Sequence, residues 1–229
     1  MQHYAIEALR SALGDDIAEF ALRNELPLVS MWEDASPLGT SRLGGAPDLA
    51  AGEQWPSFGE RAVFLGQIDF SELPVEIHER HAMPRAGVLR LFTPTESDQE
   101  TGQYPLVATL FTTADTIEGD LSGSIPVRFE YGMDLPEDSA QCEDWPWAEA
   151  SEEEDTYSEI CENQHSYQYL FGYPWPAGEP NPAGTVPLLT LFSEEAYWLE
   201  GEVLQLFITP EDLAAGNFSN LRAEIRQPY

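Results

Sequence analysis

From Val63 onward the apolar residues of this chain arrive in short runs, six to eight residues long, each closed by Gly, Pro or Asp. Runs of that length rich in Val, Ile, Leu, Phe and Tyr fit a pleated sheet better than a helix. Strands are expected over 63–70, 87–92, 106–111, 125–131, 186–192 and 203–208, with an earlier one over 28–32 before the Gly-rich loop. The N-terminus alone reads as a long helical stretch. Ile6, Leu9 and Leu13 share one face, Gly14 interrupts, Asp15 or Asp16 can cap, and Ile17, Phe20 and Ala21 begin a second face. A short helix is expected after Thr209, with Pro210 at its first position, acids in its first turn and Gly216 as its stop. The class is α+β: N-terminal helices followed by a mostly antiparallel sheet system, within a single domain over 1–229.

Two stretches echo each other. Val63-Phe64-Leu65-Gly66-Gln67-Ile68-Asp69 leads through a loop to Val88-Leu89-Arg90-Leu91-Phe92; Leu188-Leu189-Thr190-Leu191-Phe192 leads to Val203-Leu204-Gln205-Leu206-Phe207. In each, a Gly (Gly87 or Gly201) precedes Val-Leu-x-Leu-Phe. The echo points to two similar halves of one sheet system.

Charge narrows the function classes. Ten basic residues, all Arg, face 41 acidic ones for a net charge of −31, while 11% of the 229 residues are aromatic, enough to build a core. Residues 129–221 hold twenty acids and no Lys or Arg. Such a surface repels a phosphate backbone and an anionic bilayer, so neither nucleic acid nor membrane is an expected partner. A basic protein or a cation is attracted, although solubility or a salty cytoplasm also favours acidic surfaces. The N-terminus lacks a basic segment and a continuous apolar core, and no apolar run would span a bilayer, so a cytoplasmic address is expected. Cys142 and Cys161 form no C-x-x-C pair; they could form one disulfide, but nothing in the sequence favours an oxidising compartment. Between residues 134 and 162 an insertion or exposed loop is expected, with Trp145 and Trp147 docking on the chain's own core.

Motifs with direct chemistry are few. The 41–47 loop lacks the spacing and the Lys of a phosphate cradle; Gly44 and Gly45 fit positive φ, and Arg42 beside them could hold an anion or a buried carboxylate. His78-Glu79-Arg80-His81 is one residue short of His-Glu-x-x-His, and no metal or other cofactor is expected. Asp69 suits a cap over Ser71 better than a general base. The candidate binding residues are Arg42, Gly44, Gly45, Trp55, Gln67 and Asp69; no catalytic set is nominated.

Ser41-Arg42-Leu43-Gly44-Gly45-Ala46-Pro47-Asp48-Leu49, Trp55-Pro56, Phe64-Leu65-Gly66-Gln67-Ile68-Asp69, Pro84-Arg85-Ala86-Gly87 and Leu170-Phe171-Gly172-Tyr173-Pro174 follow one another in an order that resembles the YwqG-like family of bacterial proteins. Ala50 departs from a usual Pro, Thr190-Leu191-Phe192 from a second Gln-Ile-Asp, and Trp198-Leu199-Glu200-Gly201 from a longer turn. The resemblance implies a mixed α+β cytosolic domain without an established reaction, whose relatives occur near toxin genes. Two readings follow. One is a non-enzymatic interaction protein, such as an immunity or inhibitor module, that binds a basic protein. The other is a hydrolase or small-ligand enzyme with a pocket at the 41–47 loop. Oligomeric state stays open.

Overall fold

Gly14 divides the N-terminal helical stretch into α1 (Gln2–Leu13) and α2 (Asp15–Asn24), taking a φ of +94° that a side chain would resist. The computed structural model describes residues 2–34, 40–58, 62–94, 107–147, 151–161, 166–175, 181–192 and 203–226. Gly39, Leu106 and the 198–201 turn lie outside the described residues. After the helices come β1 (Leu26–Glu33), β2 (Arg42–Leu43), β3 (Leu49–Ala50), β4 (Val63–Asp69), α3 (Val75–His81), β5 (Val88–Thr93), β6 (Ala108–Thr112), β7 (Thr116–Ile117) and β8 (Ile125–Asp134). The acidic segment carries α4 (Glu152–Cys161), and β9 (Tyr169–Phe171), β10 (Val186–Phe192), β11 (Val203–Ile208), α5 (Pro210–Ala215) and β12 (Arg222–Arg226) complete the chain. At α5 the Thr209 side chain accepts from the Asp212 N–H and Gly216 closes the helix at φ +66°. Among the described residues no helix is long and apolar enough to cross a membrane.

Ten strands form one antiparallel sheet in the order β12-β11-β10-β9-β1-β8-β2-β4-β5-β6; β3 and β7 pair separately. This order holds two five-strand sets, β1-β2-β4-β5-β6 and β8-β9-β10-β11-β12, placed alike on either side of the central β1–β8 pair. The first strand of each set is exchanged: β1 lies against β9, and β8 against β2.

The likeness holds residue by residue. The β4–β5 register shifts between Phe64 and Gly66, and the β10–β11 register between Pro187 and Leu189, so Gln67 faces Arg90 just as Thr190 faces Gln205. The Met31 N–H donates to the Gln168 carbonyl at 2.8 Å, and the matching Val127 N–H to the Ser41 carbonyl at 3.2 Å. The Asp69 N–H donates to Ser41 Oγ and the matching Phe192 N–H to Gln168 Oε1, at 2.8 and 3.0 Å.

The sheet curls into a half-barrel around one apolar core. Leu65, Ile68 and Leu91 from one set join Leu189, Leu191 and Leu206 from the other. Phe111 and Phe218 close the open side with ring centroids 4.8 Å apart, and Thr109 Oγ1 donates to the Phe218 carbonyl. On the outer face of β4–β5, Phe64 and Phe92 lie under Trp55.

A second cluster binds α1, α2 and α4 together. Leu9 and Phe20 meet Leu135, Tyr157, Cys142 and Cys161, with Trp145 and Trp147 packed against them. Both cysteines are free and buried. Burial, together with Asp144 and Asp138, pushes the Cys142 thiol up to about 11. Burial, with Glu137 and Asp134, takes Cys161 to about 12 despite a Tyr157 hydrogen bond. A disulfide-exchange reagent at pH 8 is expected to label the folded protein at least about a hundredfold more slowly than the urea-unfolded chain, because the thiolate is the reactive form. Rapid labelling of either cysteine in the folded state would show that this helical layer opens.

Candidate functional site

Three places hold enough organised polarity to be weighed. The first is the 41–49 loop. Arg42, on β2 opposite Gln67 of β4, is 4% exposed. Its guanidinium donates twice to Asp48, at 2.5 and 3.2 Å, and to the carbonyls of Thr40 and Ala46. Asp48 also accepts from Gln67 Nε2 at 2.7 Å and from the Gly119 N–H at 2.8 Å. Burial alone would raise the Asp48 pKa. The hydrogen bonds from Arg42, Gly119 and Gln67, with the Arg42 charge, outweigh it and hold the carboxyl below its usual range.

Arg90, fully buried in β5, grips Glu53 with two nitrogens and also donates to the carbonyls of Asp48 and Leu110. Burial opposes ionisation of Glu53, but Arg90 and the Ala50 N–H lower its pKa overall. Both charged pairs are internal, Arg42 with Asp48 and Arg90 with Glu53, although Arg42 Nε is buried without a hydrogen-bond partner among the described residues. Gly44 and Gly45 take φ +65° and +73°, and a Cβ on either would come within 3.0 Å of the 123–124 segment. Trp55 donates its indole N–H to the Ala62 carbonyl at 2.7 Å. Asp69 caps the 3-10 turn through the Ser71 N–H and accepts from Thr40 Oγ1. The structure therefore brings Arg42 and Gln67 together through Asp48, sets Asp69 beside them through Ser41, and places Trp55 on a different apolar cluster.

The second place is the outer face of the helical layer. Glu7 of α1, Asp15, Asp16 and Glu19 of α2, and Glu152 and Asp155 of α4 are all exposed on these helices. Arg10 pairs with Glu7 and Asp15, and Arg23 with Asp144, which leaves a strong excess of acid. The face is fixed from beneath: Trp145 meets Phe20 at 5.8 Å, Tyr157 at 5.7 Å and Trp147 at 5.1 Å. Trp145 Nε1 donates to Glu154 of α4.

The third is a cleft of about 370 Å³ between α3, the start of β1 and the loop after β9. Phe171, itself buried, borders it at φ +64°, followed by Gly172 at +73°, nearly the same pair of values as Gly44 and Gly45 in the other half. A bulky residue held there costs about 1–3 kcal/mol of backbone strain. Its ring stacks on His81, centroids 3.9 Å apart and planes at 11°. Burial, and then the Arg80 charge, push the His81 pKa down to about 4.

A family model described as Domain of unknown function (DUF1963) matches residues 41–225. The chain belongs to this family. No curated protein matches the chain. The DUF1963 match takes in both positive-φ loops and the whole Arg42–Asp48–Arg90 network, while α1, α2 and β1 precede it. Within DUF1963 residues the sequence reading passed over Asp48, Glu53 and Arg90. Arg90 carried a usable signal, since one cation within an apolar strand run demands a buried partner. Asn181, His81 and Phe171 could be joined only through the fold, although the match of Leu43-Gly44-Gly45-Ala46-Pro47 with Leu170-Phe171-Gly172-Tyr173-Pro174 marks the same turn twice.

Proposed function

We propose that this chain is a non-enzymatic binding protein that docks a basic protein on its acidic helical layer, as an inhibitor or immunity module would. The observation that carries this reading is that the acids stand on a face fixed by Phe20, Trp145, Trp147 and Tyr157 rather than on a loose arm. A face ordered before binding loses little chain entropy on association, so charge complementarity is not offset by folding. The YwqG-like order of its motifs, which brings no reaction with it, supports the same reading. The alternative of an enzyme pocket at the 41–47 loop is less favoured, because Arg42 and Gln67 spend their hydrogen bonds on Asp48 and the loop's own backbone.

The test is capture of basic proteins from the native host on immobilised protein, followed by binding curves with the purified partner. Affinity should fall steeply between about 0.1 and 1 M salt, as the screening length contracts from roughly 10 to 3 Å. Replacing Glu152, Glu153 and Asp155 by Gln together should reproduce much of that loss at low salt. A partner indifferent to both changes would overturn the proposal.

A further inference from the structure

Nine of the ten arginines lie among the described residues, and eight of these sit against a carboxylate. Arg80 is the ninth. It is exposed at the end of α3, borders the cleft, and has neither an ion pair nor a hydrogen bond among the described residues. Glu76 and Glu25 are close enough to act with Arg80 on Tyr131, yet neither pairs with it. In a chain with 41 acids and 10 cations, a guanidinium left unpaired beside a cleft stands ready for an incoming anion. No Asp or Glu borders this cleft among the described residues. The neighbouring imidazole adds no charge, because burial and Arg80 keep His81 neutral down to about pH 4. Of the remaining lining, Leu26 and Val186 are half-buried and Ala140 is exposed, so an entering molecule meets apolar surface beside the guanidinium. The Gln141 amide is engaged, accepting the Glu137 N–H and donating to the Pro174 carbonyl.

We propose that this cleft binds an apolar monocarboxylate, with its carboxylate on the Arg80 guanidinium and its hydrocarbon body against Leu26, Ala140 and Val186. The guanidinium fork offers two parallel N–H donors that match a carboxylate. At about 370 Å³ the cleft falls at the small end of small-molecule sites, which run from about 300 to 1,000 Å³. One cation sets the ligand's charge at one. A phosphate ester or a dicarboxylate would bring a second negative charge near Glu25 and Glu76 with no cation to meet it. An inorganic anion would satisfy Arg80 but leave the apolar walls facing water, and a cation would find no carboxylate on the wall. The net charge of −31 slows the approach of any anion, but that field is largely screened beyond about 8 Å at physiological salt. A carboxylate hydrogen-bonded to Arg80 lies well inside that distance. A free acid and the C-terminal residue of a peptide carry the same chemistry.

The experiment uses the full chain and a matched set of probes. Isocaproate is the free acid, isocaproamide its neutral counterpart, acetate the carboxylate without the body, and N-acetyl-leucine the carboxylate at a peptide end. Binding is read from chemical shifts of the backbone amides and of the Arg80 Nε–Hε group. Isocaproate or N-acetyl-leucine should bind saturably, with the largest shifts at Arg80 Nε–Hε and at the backbone N–H groups of Ala140, Gln141 and Val186. The tighter of the two tells a free acid from a peptide end. Isocaproamide should bind at least about tenfold more weakly, the scale of a lost charge-assisted hydrogen bond, and acetate likewise for want of apolar burial. Arg80→Gln should weaken either carboxylate about tenfold and bring isocaproate level with its amide. Because the Arg80 side chain is exposed and unpaired, this variant should keep the parent's urea midpoint. No saturable binding of either carboxylate, shifts centred elsewhere, an amide as tight as its acid, or parent-like affinity in Arg80→Gln would overturn the proposal.

Discussion

Replacing Asp48 with alanine is expected to destabilise the protein by about 3–5 kcal/mol, the usual cost of leaving a buried charge without its partner. The Arg42 guanidinium would keep only the Thr40 and Ala46 carbonyls, while the Gln67 amide and the Gly119 N–H would each lose an acceptor. Urea unfolding would show this as a lower midpoint with an unchanged slope. Asp48→Asn keeps the shape and loses the charge, so its cost should be smaller. The acid limb carries a further signature. Because the native Asp48 pKa is depressed, its contribution is complete above the unfolded value of about 3.9 and disappears as the pH falls through the native one. The gap between parent and Asp48→Asn should therefore hold from neutral pH down to about 4 and narrow only below it. A parent-like stability for Asp48→Ala would mean that water reaches Arg42.

The second half shows that this turn does not require a buried Arg–Asp pair. Where the first half has Arg42, Gln67 and Arg90, the second has Tyr169, Thr190 and Gln205. Tyr169 donates its hydroxyl to the Tyr173 carbonyl as Arg42 donates to Ala46, and Gln205 bonds Thr190 across the strands. An Arg42–Asp48 pair in one half and, in the other, the Tyr169 hydroxyl with the Asp134 carboxylate hold the same buried turn. This favours a structural role for the Arg42 network, and it explains why a site reading based on residue type was drawn to it: Arg and Gly at a strand end look alike whether they face a ligand or their own backbone.

Legibility followed the source of each signal. β10 and β11 match their expected spans because Val186–Phe192 and Val203–Ile208 are largely apolar runs, each broken by one polar residue, with clear ends. The echo between the halves was visible for the same reason, whereas the exchange of β1 and β8 was not, since partner choice leaves no local trace. β2 and β9 were hidden because they are only two and three residues long and gain their regularity from neighbours on both sides. α4 was hidden by its composition: Glu152-Glu153-Glu154-Asp155 suits a helix N-terminus, but only Tyr157 and Cys161 anchor it among the buried residues. The cleft needed tertiary contact altogether, because it joins residues 81, 171 and 181.

Gly172→Ala is the second large effect, expected at about 2–5 kcal/mol from two separable causes, αL strain and overpacking. At φ +73° an alanine is strained wherever it stands, and here its Cβ would sit 2.6 Å from Asp134 Oδ2. That oxygen cannot easily move, since it accepts the Tyr173 N–H at 2.7 Å and so fixes the turn. Gly52→Ala separates the two causes. It too has a positive φ, +87°, yet nothing lies within 4 Å of its added Cβ, so it should cost only the strain, about 1–2 kcal/mol. The difference between the variants, measured in one denaturant series, reads the crowding at Asp134 directly. Equal destabilisation by the two would mean that Asp134 yields, and that the turn after β9 is held less tightly than its counterpart at Gly44 and Gly45.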